Sequence, residues 1–140
     1  MRSLVTLTFL DARTAIDAMR ADLARRDRVA VLLVADAHGD AILVERLDGA
    51  SPSSLQIAAN KAWTATTQGV PSRSIGVRVR GAEQLDVSYY GDPRICGWAG
   101  GLPVLVDGVI VGAVAVSGLS EDDDEAIAEL GVRAITNARA

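Results

Sequence analysis

The dipeptide Asp107-Gly108 is the tightest constraint on how this chain folds. It separates two apolar runs, Leu102 to Val106 and Val109 to Ser117. Asp-Gly is favoured where two successive residues take positive φ, as a two-residue type I′ turn requires, so the runs read as the arms of a β-hairpin. Upstream, the continuous aliphatic run Val29 to Val34 meets turn chemistry at Asp36-Ala37-His38-Gly39-Asp40, and Ala41 to Leu47 returns as a second arm. Two hairpins imply an antiparallel sheet, whose apolar faces must be covered by other elements.

Those elements are helices. Thr8 and Asp11 have capping-box spacing ahead of Ala12, Ala15, Ile16, Met19 and Leu23, which share one helical face ending near Asp27. Ser51-Pro52-Ser53 starts a second helix with Ser53 and Gln56 as its cap; Leu55, Ala58, Ala59, Ala62 and Thr66 line one face, and Gly69-Val70-Pro71 ends it. Alanines on that face allow close approach to a sheet, since little side-chain volume separates the backbones. Ser120 and the acids Glu121 to Asp124 mark the start of a last helix, where the dipole favours negative charge. Its expected buried face is Ile127, Leu130, Ala134 and Ile135. Ser3 to Leu7 alternates like a short strand, and so do Ile75, Val77 and Val79. The order is (β)αββα…ββα, an α+β class, and no linker or repeat divides residues 1–140, which read as one domain.

Composition excludes several classes. A single cysteine, Cys96, rules out a disulfide scaffold, and one His with one Cys cannot build a conventional zinc site. No apolar run approaches the ~20 residues of a membrane span, and the N-terminus lacks a secretory apolar core, so a cytoplasmic protein without a membrane partner is expected. Net charge is −4 and the few aromatics are not interleaved with arginines, which disfavours nucleic acid as a partner. Thirteen of the fourteen Lys and Arg residues are Arg, which makes Lys61 stand out.

The candidate residues each carry a plain reading beside a chemical one. His38 is a turn residue, or an axial ligand to haem iron. Cys96 is an inert small hydrophobe, or a nucleophile. Asp122-Asp123-Asp124 invites a metal reading, but three consecutive acids point in different directions and suit a helix start. Gly97-Trp98-Ala99-Gly100-Gly101-Leu102-Pro103 is the most suggestive segment, because successive glycines expose backbone N–H groups that can cradle an anion. Lys61 is a counter-charge to a ligand, or a surface or subunit contact.

In combination, these residues resemble the GlcG/HbpS-like family, seen also as the C-terminal domain of PduO-type adenosyltransferases. The resemblance rests on Arg46-Leu47-Asp48-Gly49-Ala50, Lys61-Ala62-x-Thr64-Ala65, Gly100-Gly101-x-Pro103-Val104 and Gly112-Ala113-Val114-x-Val116-Ser117-Gly118, in order over residues 8 to 139. It implies a profilin-like three-layer fold, a five-stranded antiparallel sheet with helices on both faces, and homo-oligomers. It also makes a short helix or loop an equal alternative to a strand within 72–93. Several relatives bind haem. Ala115 stands where the pattern usually has glycine, and Trp98-Ala99 replaces part of a longer glycine run; both narrow a pocket at that surface.

The leading expectation is therefore a small-molecule-binding homo-oligomer with haem as first candidate ligand or cofactor. Lys61, Trp98, Gly100, Gly101 and Pro103 are its binding residues, with His38 as candidate axial ligand and no metal site beyond that iron. A second reading is an enzyme acting on an organic acid or ring compound in the same pocket, with Tyr89, Asp92, Lys61 or Cys96 moving protons. A third is a structural or chaperone-like subunit of a larger enzyme.

Overall fold

The computed structural model describes residues 1–139 and shows an α+β arrangement in three layers. In chain order the elements are α1 (Phe9–Arg26), β1 (Val31–Ala35), β2 (Ala41–Arg46), α2 (Ser53–Gln68), α3 (Ser72–Arg80), β3 (Gly101–Val106), β4 (Val109–Ser117) and α4 (Glu121–Ala138). A 3₁₀ turn, Val87–Tyr90, lies between α3 and β3. The strands form one antiparallel sheet in the order β2-β1-β4-β3.

Local chemistry sets the ends of these elements. The Asp11 N–H donates to Thr8 Oγ1 at 3.3 Å and the Thr8 N–H donates to Asp11 Oδ2 at 2.8 Å, a complete capping box for α1. Asp107 and Gly108 both take positive φ, 51° and 76°, as the β3–β4 turn requires. The cap expected from Ser53 and Gln56 does not form; Pro52 occupies the cap position of α2 without a side-chain bond, and the Ser53 hydroxyl pairs with that of Ser51.

The two faces of the sheet differ. Leu32, Val34, Val114 and Val116 pack with α1 and α4 in an aliphatic core containing Ile16, Met19, Leu23, Ile127 and Ile135. On the other face Val31, Leu33, Ala35, Ala113 and Ala115 meet Ala58, Ala62 and Ala65 of α2. β1 is buried throughout because it is central and covered on both sides. The alanine contact brings the α2 backbone close to the sheet.

Two expectations need correction, and the open alternative over residues 72–80 resolves to a helix. The sheet has four strands, and Ser3 to Leu7 is not a fifth. β1 and β4 are each paired on both sides, and the free edges of the sheet belong to β2 and β3. A bulge leaves Val111 without a partner in β3, and the Leu7 N–H donates to its carbonyl at 2.9 Å, a single ladder-like bond. Residues 72–80 form a helix, and their alternation does not mark a strand: Ile75 is buried while Val77 is 63% exposed. In α4 the buried stripe is Asp124, Ile127, Ala128, Gly131 and Ile135, with Leu130 and Ala134 only half-buried.

Because Ala62 is fully buried at the close α2–sheet contact, Ala62→Leu is expected to lower stability. The cost of overpacking there is roughly 1–3 kcal/mol, read as a lower urea midpoint. An unchanged midpoint would mean that α2 can move away from the sheet at no cost.

Candidate functional site

The Lys61 side chain is 2% exposed and crosses from α2 toward the last residues of β4 and the start of α4. Its Nζ donates to Asp124 Oδ2 and to the Val116 carbonyl, both at 2.9 Å. Asp124, 4% exposed, also accepts the Leu119 N–H on Oδ1. Burial pushes the Asp124 carboxyl above its usual range, opposed by the hydrogen bond and charge of Lys61 and by bonds from the Leu119 and Gly118 N–H groups. The lysine that composition singled out is therefore the internal partner of an acid.

The glycine loop folds over this pair. A Cβ on Gly101 would overlap the Lys61 carbonyl, and one on Gly100 would lie 2.6 Å from the Val116 carbonyl oxygen and 2.9 Å from Lys61 Nζ. The Gly101 N–H donates to Ser72 Oγ at 2.9 Å, and that hydroxyl donates to the Trp98 carbonyl at 2.7 Å. The Ala99 N–H donates to Glu121 Oε2 at 2.9 Å. The N–H groups of Ala99 and Gly101 thus hold the loop to α3 and α4, and Gly101→Val would disturb the fold before it reported on any ligand.

Two clefts meet at Trp98, which is 51% exposed. The first, about 340 Å³, is walled by Ile57, Val79, Val87, Ile95 and Trp98, with Asn60, Cys96 and Arg80. Gly76 of α3 and Gly97 touch backbone to backbone beneath it, leaving its floor without side chains. The second, about 320 Å³, is more polar and is lined by Ser54, Lys61, Ser117, Glu121 and Asp124 beside the shared Ile57 and Trp98. Arg80 lies over the Trp98 ring, 4.9 Å from its centroid.

The sequence-derived candidates therefore separate. Lys61 and Trp98 share the second cleft, with Gly100 and Gly101 packed against Lys61. Pro103 lines a different groove, with Leu102, Leu105 and Glu129. His38 is exposed at the tip of the β1–β2 hairpin, where its N–H donates to Asp36 Oδ1, and it lines none of these clefts. The four proton-transfer candidates fall in four different clefts. Burial pushes the Cys96 thiol up, and Asp92 is held down to about 2 by its hydrogen bonds from Arg94, with Trp63 adding a second partner. Among the described residues no three His, Cys, Asp or Glu side chains gather to hold a metal ion, and no helix is long and apolar enough to cross a membrane.

Asp124, Arg80, Ser72 and Glu121 escaped the sequence reading. Asp124 left a signal: it stands three, four, seven and eleven residues before Ile127, Ala128, Gly131 and Ile135, on the buried stripe of α4. Its place in a run of acids concealed that.

Residues 7–133 match the family described as haem degrading protein HbpS-like. An uncharacterised 15.0 kDa protein from the dhaT-dhaS intergenic region of Citrobacter freundii is 32% identical over 129 residues, 91% of each chain. The crystal structure of a double mutant of HbpS from Streptomyces reticuli superposes with a TM-score of 0.84 at 29% identity, covering 94% of this chain and 88% of that one. PduOC, solved as a haem complex, gives a TM-score of 0.81 at 26% identity over 93% of this chain and 95% of its own.

Replacing Lys61 by Met would leave Asp124 buried without its counter-charge, at a cost of roughly 3–5 kcal/mol. The Asp124 pKa is already raised by burial and would climb further without Lys61, whose bond and charge lower it. A raised carboxyl pKa contributes stability in acid that is lost as pH rises through it, so the cost of Lys61→Met is expected to be smaller near pH 5 than near pH 8. Urea unfolding of both proteins at the two pH values checks this; a cost that is equal or larger in acid would contradict it.

Proposed function

Because the chain belongs to the HbpS-like family, we propose that it binds a planar apolar ligand, with haem the first to test, in the cleft walled by Trp98. The observation that carries this is the cleft itself. Four aliphatic side chains and a half-exposed indole line about 340 Å³ of open space, within the range of small-molecule sites. PduOC, a structural relative, is known as a haem complex, which supports haem as the first choice.

The lining suits a porphyrin as an apolar plate. It holds no histidine among the described residues: Cys96 is there with its thiol pushed up by burial, and His38 is at the hairpin tip. A cleft-bound haem is thus held through its ring, with Trp98 as wall and the Lys61–Asp124 pair fixing the loop from beneath. His38 reaches such an iron only from a second copy, as in the homo-oligomers that the family resemblance implies. The enzyme reading has less support, because Lys61, Cys96, Asp92 and Tyr89 do not share a cleft.

Titration with hemin, followed in the Soret region against free hemin, tests the proposal. One saturable, shifted band per chain is expected, and Trp98→Ala should weaken binding by about tenfold through loss of the aromatic wall. The band should be stable over time, which separates binding from the breakdown that the family description names. A maximum that moves in His38→Ala would identify an iron ligand donated by a second copy. A spectrum equal to the sum of protein and free hemin would exclude haem.

A further inference from the structure

Arg80, the last residue of α3, is among the described residues the one charged side chain lining the apolar cleft. Its contacts are long: Nη2 lies 3.3 Å from the Gly97 carbonyl, and the guanidinium reaches Glu121 at 3.2 and 3.4 Å. Neighbouring arginines are held more closely. Arg73 reaches Asp122 at 2.7 Å, Arg78 reaches Tyr90 at 2.8 Å, and Arg94 reaches Asp92 at 3.0 Å. The shortest Arg80 bond is thus longer than the shortest bond of each of those three arginines, and a better-placed pair of oxygens can compete for its guanidinium.

Glu121 does not depend on Arg80 for its position. Its Oε2 accepts the Ala99 N–H at 2.9 Å, which also draws the carboxyl below its usual range, and it lines the polar cleft but not the apolar one. Among the described residues no carboxylate lines the apolar cleft. An anionic group entering beside Trp98 therefore meets a cation in the lining, a forked donor suited to two oxygens, with no carboxylate of the described residues beside it in that lining.

We propose that Arg80 is the specificity-determining residue of the apolar cleft, and that its ligands are planar apolar compounds carrying a carboxylate. The ring lies in the cleft and the carboxylate takes the guanidinium over from Glu121. This rests on the cleft being the ligand site, as proposed above, but not on the ligand being haem.

Calorimetric titration with 2-naphthoate and 2-naphthamide tests it, since the two differ chiefly in charge. The unaltered protein should prefer the acid by about tenfold. Arg80→Gln should abolish that preference and leave the amide's affinity unchanged, which also shows that the cleft is intact. Glu121→Gln keeps an oxygen for the Ala99 N–H while releasing the guanidinium, and should tighten acid binding several-fold.

Equal affinity for acid and amide, failure of both to bind, or a preference that survives Arg80→Gln would overturn the proposal. So would a parallel loss of both ligands in Arg80→Gln, or weaker acid binding in Glu121→Gln, because either would make Arg80 only a support for Trp98. Hemin that fails to bind while naphthoate binding depends on Arg80 refutes the haem reading alone. Hemin that binds without any acid preference at the cleft refutes this inference alone.

Discussion

The buried ammonium of Lys61 ties three elements together. It leaves α2, bonds the last turns of β4 through the Val116 carbonyl and meets Asp124 in the first turns of α4. Neither charge has water to fall back on, so each needs the other, and their bonds fix how α2 and α4, on opposite faces, sit at the end of β4. The loop leading into β3 then has little choice. It must pass over the pair at a distance that only glycine allows, at Gly100 and Gly101, and Ser72 and Glu121 take up N–H groups on either side.

The alanine face of α2 makes that crossing feasible. Ala58, Ala62 and Ala65 against Ala113 and Ala115 leave a thin layer between helix and sheet, whereas α1 and α4 meet the other face through Leu, Ile, Val and Met. The thin layer is also why open space survives nearby. With Gly76 and Gly97 touching through their backbones, no side chain fills the ground between α2, α3 and the loop, and Trp98 stands half-exposed at its border. Packing and ligand site follow from the same small residues.

Much of the scaffold was legible because it is written in local chemistry. Thr8 with Asp11 and Asp107-Gly108 each report a short-range requirement that is met, and the alanine stripe of α2 is met at Ala58, Ala62 and Thr66, while Leu55, expected on the same face, is exposed. Ser3 to Leu7 misled because alternation says nothing of whether a segment finds a strand to pair with. Residues 72–80 stayed open between strand and helix because three alternating aliphatics fit a strand, while in the helix that forms only Ile75 of the three is buried. The site was legible only by halves. Lys61 and Trp98 could be flagged by rarity and setting, but Asp124 and Arg80 gain their meaning from partners 63 and 41 residues away, and no local pattern encodes those distances.

The account depends most on Lys61 and Asp124 acting as one unit. A double-mutant cycle measures this directly: urea unfolding of the unaltered protein, Lys61→Met, Asp124→Leu and the protein carrying both changes. The predicted result is strong coupling, with the double variant recovering about 2–3 kcal/mol relative to the sum of the single losses, because no charge is left buried alone. Additivity within about 0.5 kcal/mol would contradict the account, since the two side chains would then be independent neighbours rather than the joint on which the loop and cleft rest.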